Sequence, residues 1–325
     1  MFKLKYPLFD GEKVWEGAAV TIENGIITSV QECDPAECGE GLLLPGLIDA
    51  HTHMGTPAHV EAMLKNGVTA TCDVSASRDL IESSRQLEIV SSAGMAMGVV
   101  MNPKSYVEKA AANGARYIKV LLFNPLSIGK PALRGIVKAA HAKGLKVAVH
   151  ATEVATVRQA VDAEADILLH VPMKEAFPEE LAKTIAEKHI AVAPTLVMME
   201  TFAHSGRSSY EPADYQNAEN AVKLLHSHGV SILAATDANP GNFAPGVGYG
   251  DTLHREMGLL VKAGLTPVET LTAATSKNAE AFDIKTGRIA PGQPATMLLA
   301  DGRPDREIAA ITGIKQVWSK GERIQ

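Results

Sequence analysis

Pro45-Gly46-Leu47-Ile48-Asp49-Ala50-His51-Thr52-His53 is a short, mainly apolar run that closes on two imidazoles. A run of this length reads as a buried strand. His51 and His53 stand at i and i+2, so both project to one side of the pleat. The residues ahead of them are apolar, which places the pair at the strand's C-terminal end. By itself such a pair indicates a metal and nothing finer.

Working outward, apolar β runs alternate with amphipathic helical stretches. Strands are predicted near Leu47–His53, Val68–Val74, Ala96–Met101, Tyr117–Leu122, Val147–His150, Ile167–His170, Ala191–Thr195 and Ile232–Asp237. Helical periodicity fills the gaps, as in Ala132 to Lys143, Val154 to Ala163 and Glu179 to Lys188. Eight βα units over this length predict an α/β fold, a (β/α)8 TIM barrel. A doubly wound open sheet is the alternative, but the Gly-x-Gly-x-x-Gly expected at its first βα turn is absent.

The two chain ends read differently from the middle. Ala18 to Ile22 and Gly25 to Val30 are strand-like and joined by Glu23-Asn24-Gly25, a hairpin signal. Thr296 to Leu299 and Ile314 to Trp318 are strand-like too, with a turn at Lys320-Gly321-Glu322. Residues 1–44 and 286–325 are therefore expected to pair as a small β-sandwich domain, with residues 45–285 forming the barrel.

Polar residues cluster at the predicted strand ends. His150 follows Val147-Ala148-Val149, His170 follows Ile167-Leu168-Leu169, and Asp237 follows Leu233-Ala234-Ala235-Thr236. Lys119 interrupts Tyr117-Ile118-Lys119-Val120-Leu121-Leu122. Singly, each has an ordinary reading: a structural histidine, a helix N-cap aspartate, a lysine reaching solvent by its stem. Together they converge on the C-terminal mouth, where active sites of this fold lie. Burying a cation beside several imidazoles is costly unless something compensates. A divalent metal compensates, because it takes imidazole nitrogens and carboxylate oxygens and leaves a position for water. An ammonium cannot bind metal. Beside a dication Lys119 loses its proton, and the neutral amine can take up CO₂ as a carbamate that bridges two ions.

The opening strand resembles that of the amidohydrolase superfamily. His150, His170 and Asp237 match its later strand-end ligands, and Lys119 in Ile-Lys-Val matches the bridging carboxylated lysine of its binuclear members. Val147 to Ala151, Asp166 to His170 and Ala193-Pro194-Thr195-Leu196 are similar to the imidazolonepropionase-like and prolidase-like branch. So are Ala263-Gly264-Leu265-Thr266-Pro267 and Ala273-Ala274-Thr275, while Pro291-Gly292-Gln293-Pro294-Ala295 resembles the return into the small β domain. The resemblance implies a metal-dependent hydrolase with one or two divalent ions, commonly zinc. It implies that His51, His53 and Asp237 hold one ion and His150 and His170 the other, with carboxylated Lys119 between them and Asp237 moving the proton. Two departures stand out. Ala295 is followed by Thr296 where the family usually has Asp, and the fourth strand ends in Leu122-Phe123-Asn124-Pro125 in place of a Gly-rich turn.

A mononuclear aminohydrolase is the main rival. His150-Ala151-Thr152-Glu153 resembles the His-x-x-Glu of deaminase members, with Glu153 as proton donor. Its plainer reading is an acidic residue in the first turn of a helix, and Lys119 has no metal role in that scheme. A non-catalytic scaffold is the third reading, and it would be expected to have lost ligands. Substrate contacts are expected on the loops at the mouth: Phe123, Asn124, Thr195, Asn239 and Tyr249.

Composition narrows the setting. The 325 residues are 46% hydrophobic and 21% charged, which is ordinary for a globular chain. The formal net charge is −6, with no long basic run, so nucleic acid and anionic membrane are not expected partners. A small-molecule substrate and a homo-oligomer are expected. Three cysteines make no disulfide framework, Cys33 and Cys38 read as incidental thiols near a turn, and a reducing cytoplasm fits. The first residues lack a signal-peptide core, and no apolar run approaches the roughly 20 residues of a membrane span.

Overall fold

The structure is a computed structural model, which describes residues 1–123, 127–205, 213–242 and 244–324. Its centre is a ring of parallel strands: β5 (Leu47–Thr52), β6 (Val68–Asp73), β7 (Glu88–Ser91), β8 (Met95–Ala96), β9 (Tyr117–Leu122), β10 (Lys146–Ala151), β11 (Ile167–Leu169) and β12 (Ala191–Ala193). They pair in chain order as β5-β6-β7 and β8-β9-β10-β11-β12. The segment 232–238 completes the ring. Ile232 bridges Val192 of β12, and Ala238 bridges Thr52 of β5.

Two strands differ from the sequence expectation. The third barrel position is filled by β7 and β8, and residues 97–101 lie beyond them. Most apolar letters of that stretch face outward: Val99 and Met101 are 85% and 89% exposed. Hydrophobicity there marks a mouth loop, while Glu88-Ile89-Val90-Ser91 carries the ladder to β6. The eighth segment is held by single bridges because a side chain takes one of its ladder positions. The Thr236 amide donates to Asp49 Oδ1 at 3.0 Å.

Helices cover the ring. On α4 (Lys130–His141), Leu133, Ile136, Val137 and Ala140 are buried, the i, i+3, i+4, i+7 stripe of a helix on a sheet. Burying each of the three larger ones is worth about 1.5–3 kcal/mol. The barrel interior is filled by apolar side chains, with Ile48, Ala50, Cys72, Tyr117, Ala148, Leu169 and Leu233 in one cluster. Tyr117 meets Phe282 edge-on at 5.1 Å.

Both chain ends build one seven-stranded sheet. It comprises β1 (Phe2–Phe9), β2 (Val14–Glu23), β3 (Ile26–Glu32), β4 (Leu42–Pro45), β13 (Met297–Ala300), β14 (Ile314–Ser319) and β15 (Glu322–Arg323), in the order β15-β14-β13-β4-β1-β2-β3. Its two edges meet: Ala295 N donates to Gly25 O, and Gly321 N to Ala295 O. Leu8, Val20, Ile27, Met297 and Trp318 fill the curl. β4 runs straight into β5 through Gly46, where a Cβ would fall 2.1 Å from Thr69 Oγ1. Among the described residues, no helix is long and apolar enough to cross a membrane.

Candidate metal centre

The strand ends bring the sequence candidates together. Asp237 Oδ1 lies 3.3 Å from His51 Nε2 and 3.1 Å from His53 Nε2. Lys119 Nζ is 3.3 Å from His51 Nε2. The His150 and His170 rings meet edge-on at 4.4 Å, and His51 and His170 stand 5.6 Å apart. Ligand atoms of His51, His170 and Asp237 all lie within 4.8 Å of one another. His51, Lys119, His170 and Asp237 are buried, while His53 keeps a side-chain exposure of 29% toward the mouth.

Simple strand alternation would set His51 opposite Ala50, which packs inside the barrel. The pairing of β5 with β6 shifts register between Asp49 and Thr52. Such an irregularity re-aims side chains, and here both imidazoles reach Asp237. Two buried carboxylates hold the distortion. Asp49 accepts from His51 N (3.2 Å) and from Thr236 Oγ1 (2.6 Å), tying β5 to the eighth segment. Asp73 accepts from Thr52 Oγ1 (2.8 Å) and Met54 N (2.6 Å), on either side of His53.

Three site residues carry left-handed backbone: His170 (φ 72°), Thr195 (φ 50°) and Asp237 (φ 57°). Non-glycine residues there are strained by about 1–3 kcal/mol each, and such strain concentrates at functional sites.

The electrostatics suit a metal. Burial, followed by the Lys119 charge, pushes His51 well below the usual imidazole range and His150 down to about 3. His170 is also pushed well down by burial, with His150 next. Burial takes Lys119 down to about 7. These imidazoles are therefore neutral ligands in wait. The Nε2 atoms of His150 and His170 and the Nδ1 of His51 are buried without a hydrogen-bond partner. Buried polar atoms left unpaired are costly, and imidazole nitrogens beside a carboxylate are a donor set that divalent ions take. The residues fit the group.

Thr195 takes a role that sequence reasoning did not give it. Its Oγ1 lies 2.7 Å from His170 Nδ1, which leaves Nε2 facing the cluster. Such outer partners fix a ligand's ring and tautomer. Thr195→Val keeps the shape and removes the hydroxyl, so metal affinity should fall by about 10–100-fold, with Thr195→Ser restoring it. Competition with a chelator measures this, and unchanged affinity would count against the role.

Glu256 supports Thr195 in turn. This buried carboxyl, on α9 (Asp251–Lys262), accepts from Leu196 N at 2.9 Å and Val197 N at 2.7 Å. Those amides open α7 (Leu196–Ala203), a favourable place for an acid. Burial nevertheless raises it from 4.5 to about 8. The folded chain then binds the proton more tightly than the unfolded one, so stability falls as pH rises from about 4.5 to 8. Glu256→Gln cannot ionise, and its urea midpoint should decline less between pH 5.5 and 8 than the parent's. An equally steep decline in both would contradict this account.

The remaining candidates lie around the mouth. Phe123 meets the His150 ring edge-on at 6.1 Å. Asn239 uses its amide inside its own loop, donating to Asp237 O and Pro245 O and accepting from Gly241 N. Tyr249 donates its hydroxyl to His53 O at 2.6 Å and stacks on His59 at 3.9 Å. Gly250, next to it, starts α9 with φ 87°, where a Cβ would fall 2.3 Å from Ala62 O of α1 (Pro57–Lys65). Asn124 lies outside the described residues. Glu153 begins α5 (Val154–Asp162), and its carboxylate, 41% exposed, pairs with Lys174 at 3.1 Å. Sequence reasoning missed Asp49, Asp73 and Glu256. Asp49 had a signal, an acid inside an apolar strand two residues before a histidine.

The amidohydrolase family model matches residues 42–324, which takes in the whole site. The chain belongs to the amidohydrolase family. An imidazolonepropionase from Desulfotalea psychrophila (strain LSv54 / DSM 12343) is 24% identical over 208 residues, covering 59% of this chain and 43% of that protein. The match therefore spans less than half of that relative's length. Two solved structures superpose over nearly the full chain. A Xaa-Pro dipeptidase with methionine bound has a TM-score of 0.85 at 19% identity, covering 99% of each chain. An A. niger ochratoxinase has a TM-score of 0.84 at 20% identity, covering 99% of this chain and 95% of its own. At these identities the likeness shows the fold.

Proposed function

We propose that this amidohydrolase uses two divalent ions, zinc in the first instance, to hydrolyse amide-type bonds of small molecules. Dipeptides, cyclic amides, and esters or lactones share the required machinery. The observation that carries the reading is the convergence of His51, His53, Asp237, Lys119, His150 and His170 at one barrel mouth, with buried Nε2 atoms left unpaired. His51, His53 and Asp237 would hold one ion, and His150 and His170 the other. Lys119 would join them as a carbamate: its neutral amine adds to CO₂ and releases one proton. A Lys119 pushed down to about 7 supplies that neutral amine near neutrality.

When bound, the ions supply Lewis acidity toward the scissile carbonyl and lower the pKa of water from 15.7 toward about 7. The chain's own residues do the rest. Asp237 takes the proton of the attacking water and passes it to the departing nitrogen. Thr195 keeps His170 turned to the cluster. Tyr249 anchors the His53 backbone from the loop after the eighth segment. Phe123 offers an apolar ring beside His150. The dipeptidase likeness makes dipeptides the first substrates to try, followed by N-acyl amino acids, cyclic imides and lactones.

Elemental analysis of protein purified without chelator, run beside that hydrolysis panel, tests the reading. Two equivalents of metal and chelator-sensitive turnover are expected. Full activity in metal-free protein would overturn it.

A further inference from the structure

Cys33 and Cys38 flank the turn Asp34-Pro35-Ala36-Glu37, which carries the chain from β3 to β4. Residues 35–37 form a single 3₁₀ turn. Asp34 caps it by accepting from Ala36 N at 2.9 Å, and Cys38 N donates to Pro35 O at 3.1 Å. The turn folds the two thiols onto each other: Sγ to Sγ is 3.6 Å. Cys33 N is itself pinned to Gly17 O at 3.2 Å, and Gly39 N to Lys5 O at 2.9 Å, so both arms are anchored on β1 and β2. Both thiols are half-exposed, whereas Cys72 is buried inside the barrel.

We propose that Cys33 and Cys38 are a reversible redox pair that closes to an intrachain disulfide under mild oxidation by a peroxide. The turn already holds the two sulfurs 3.6 Å apart, and closure brings them to about 2.05 Å. Backbone hydrogen bonds hold the turn without the S–S bond, so the dithiol and disulfide forms share one fold. The chemistry balances with one peroxide. One thiolate attacks a peroxide oxygen, the O–O bond breaks, and a sulfenic acid and one water result. The other sulfur then attacks the sulfenic sulfur, the S–O bond breaks, the S–S bond forms and a second water leaves. Two thiols are oxidised by two electrons, and the peroxide is reduced to two waters. An external thiol reverses the bond by exchange.

The test uses the full chain, reduced and then treated with one equivalent of hydrogen peroxide. Free thiols are alkylated and the protein is cut with trypsin. Cleavage after Lys13 and Lys65 leaves both cysteines in one peptide, and cleavage after Arg78 puts Cys72 in another. The expected peptide 14–65 is unalkylated and lighter by two hydrogens. Dithiothreitol should restore two alkylatable thiols. In Cys33→Ser the same treatment should leave Cys38 alkylatable or oxygenated, with no loss of hydrogens. Parent protein that keeps both thiols alkylatable, gains oxygen on one sulfur, or links two chains would overturn the proposal.

Discussion

Asp237→Asn should lower kcat by about 100- to 10,000-fold, the usual contribution of a positioned proton-transfer group. Asparagine suits the test because it tolerates the left-handed backbone that Asp237 adopts at φ 57°. The fold and the hydrogen bonds around residue 237 should therefore survive, while the basic oxygen 3.1 Å from His53 and 3.3 Å from His51 is lost. An amide oxygen is a weaker metal ligand, so metal content is measured alongside turnover. With metal supplied in excess, KM should change little, because Asp237 is asked to act on the proton and not on substrate binding. Activity within tenfold of the parent at equal metal content would remove Asp237 from the proton path.

Lys119→Met should separate stability from function. Lys119 is 2% exposed, and burial takes its pKa from 10.5 to about 7. The sign follows from proton counting. Between about pH 7 and 10.5 the unfolded chain binds the Lys119 proton and the folded chain does not, so this group's contribution to stability rises with pH across that window. Below about 7 the folded state carries an ammonium that burial disfavours. Methionine matches the length and removes the charge. In metal-free protein at pH 6, the unfolding midpoint of Lys119→Met should exceed the parent's. In metal-loaded protein the order should reverse for function. One metal equivalent should be lost, and activity should fall by more than the roughly 10–100-fold typical of an outer-shell partner. Parent protein exchanged with ¹³C-bicarbonate should show a carbamate carbon that the variant lacks. Full metal content and activity in Lys119→Met would exclude a bridging role.

Both variants act on residues that stand out in the sequence, and that reflects how barrels are written. Strands such as Val147-Ala148-Val149-His150 and Ile167-Leu168-Leu169-His170 are buried on both faces, so they are apolar throughout. A polar residue at the end of such a run is visible against its background. The same logic misplaced the third strand, because the apolar letters run on past β8 into residues 97–101, where Met97, Val99 and Met101 are exposed. Exposed apolar letters look like core letters until neighbours are known.

The sequence alone determined the alternation of strands and helices, the pairing of the two chain ends, and six polar side chains that stand out against apolar strands, five closing a run and Lys119 inside one. Each depends on local pattern: periodicity, turn residues, and polar letters closing apolar runs. Only the tertiary structure decided how His51 and His53 reach one carboxylate. That needed a register shift against β6, braced by Asp49 and Asp73 from within β5 and β6. It also decided that Thr195 orients His170, with Glu256 behind it, holding the amide of Leu196 from sixty residues further along the chain. Hydrogen bonds between distant segments leave no periodic trace, because each partner is chosen by where the backbone places it. The six residues open at His51, and what holds them in register is written across the barrel.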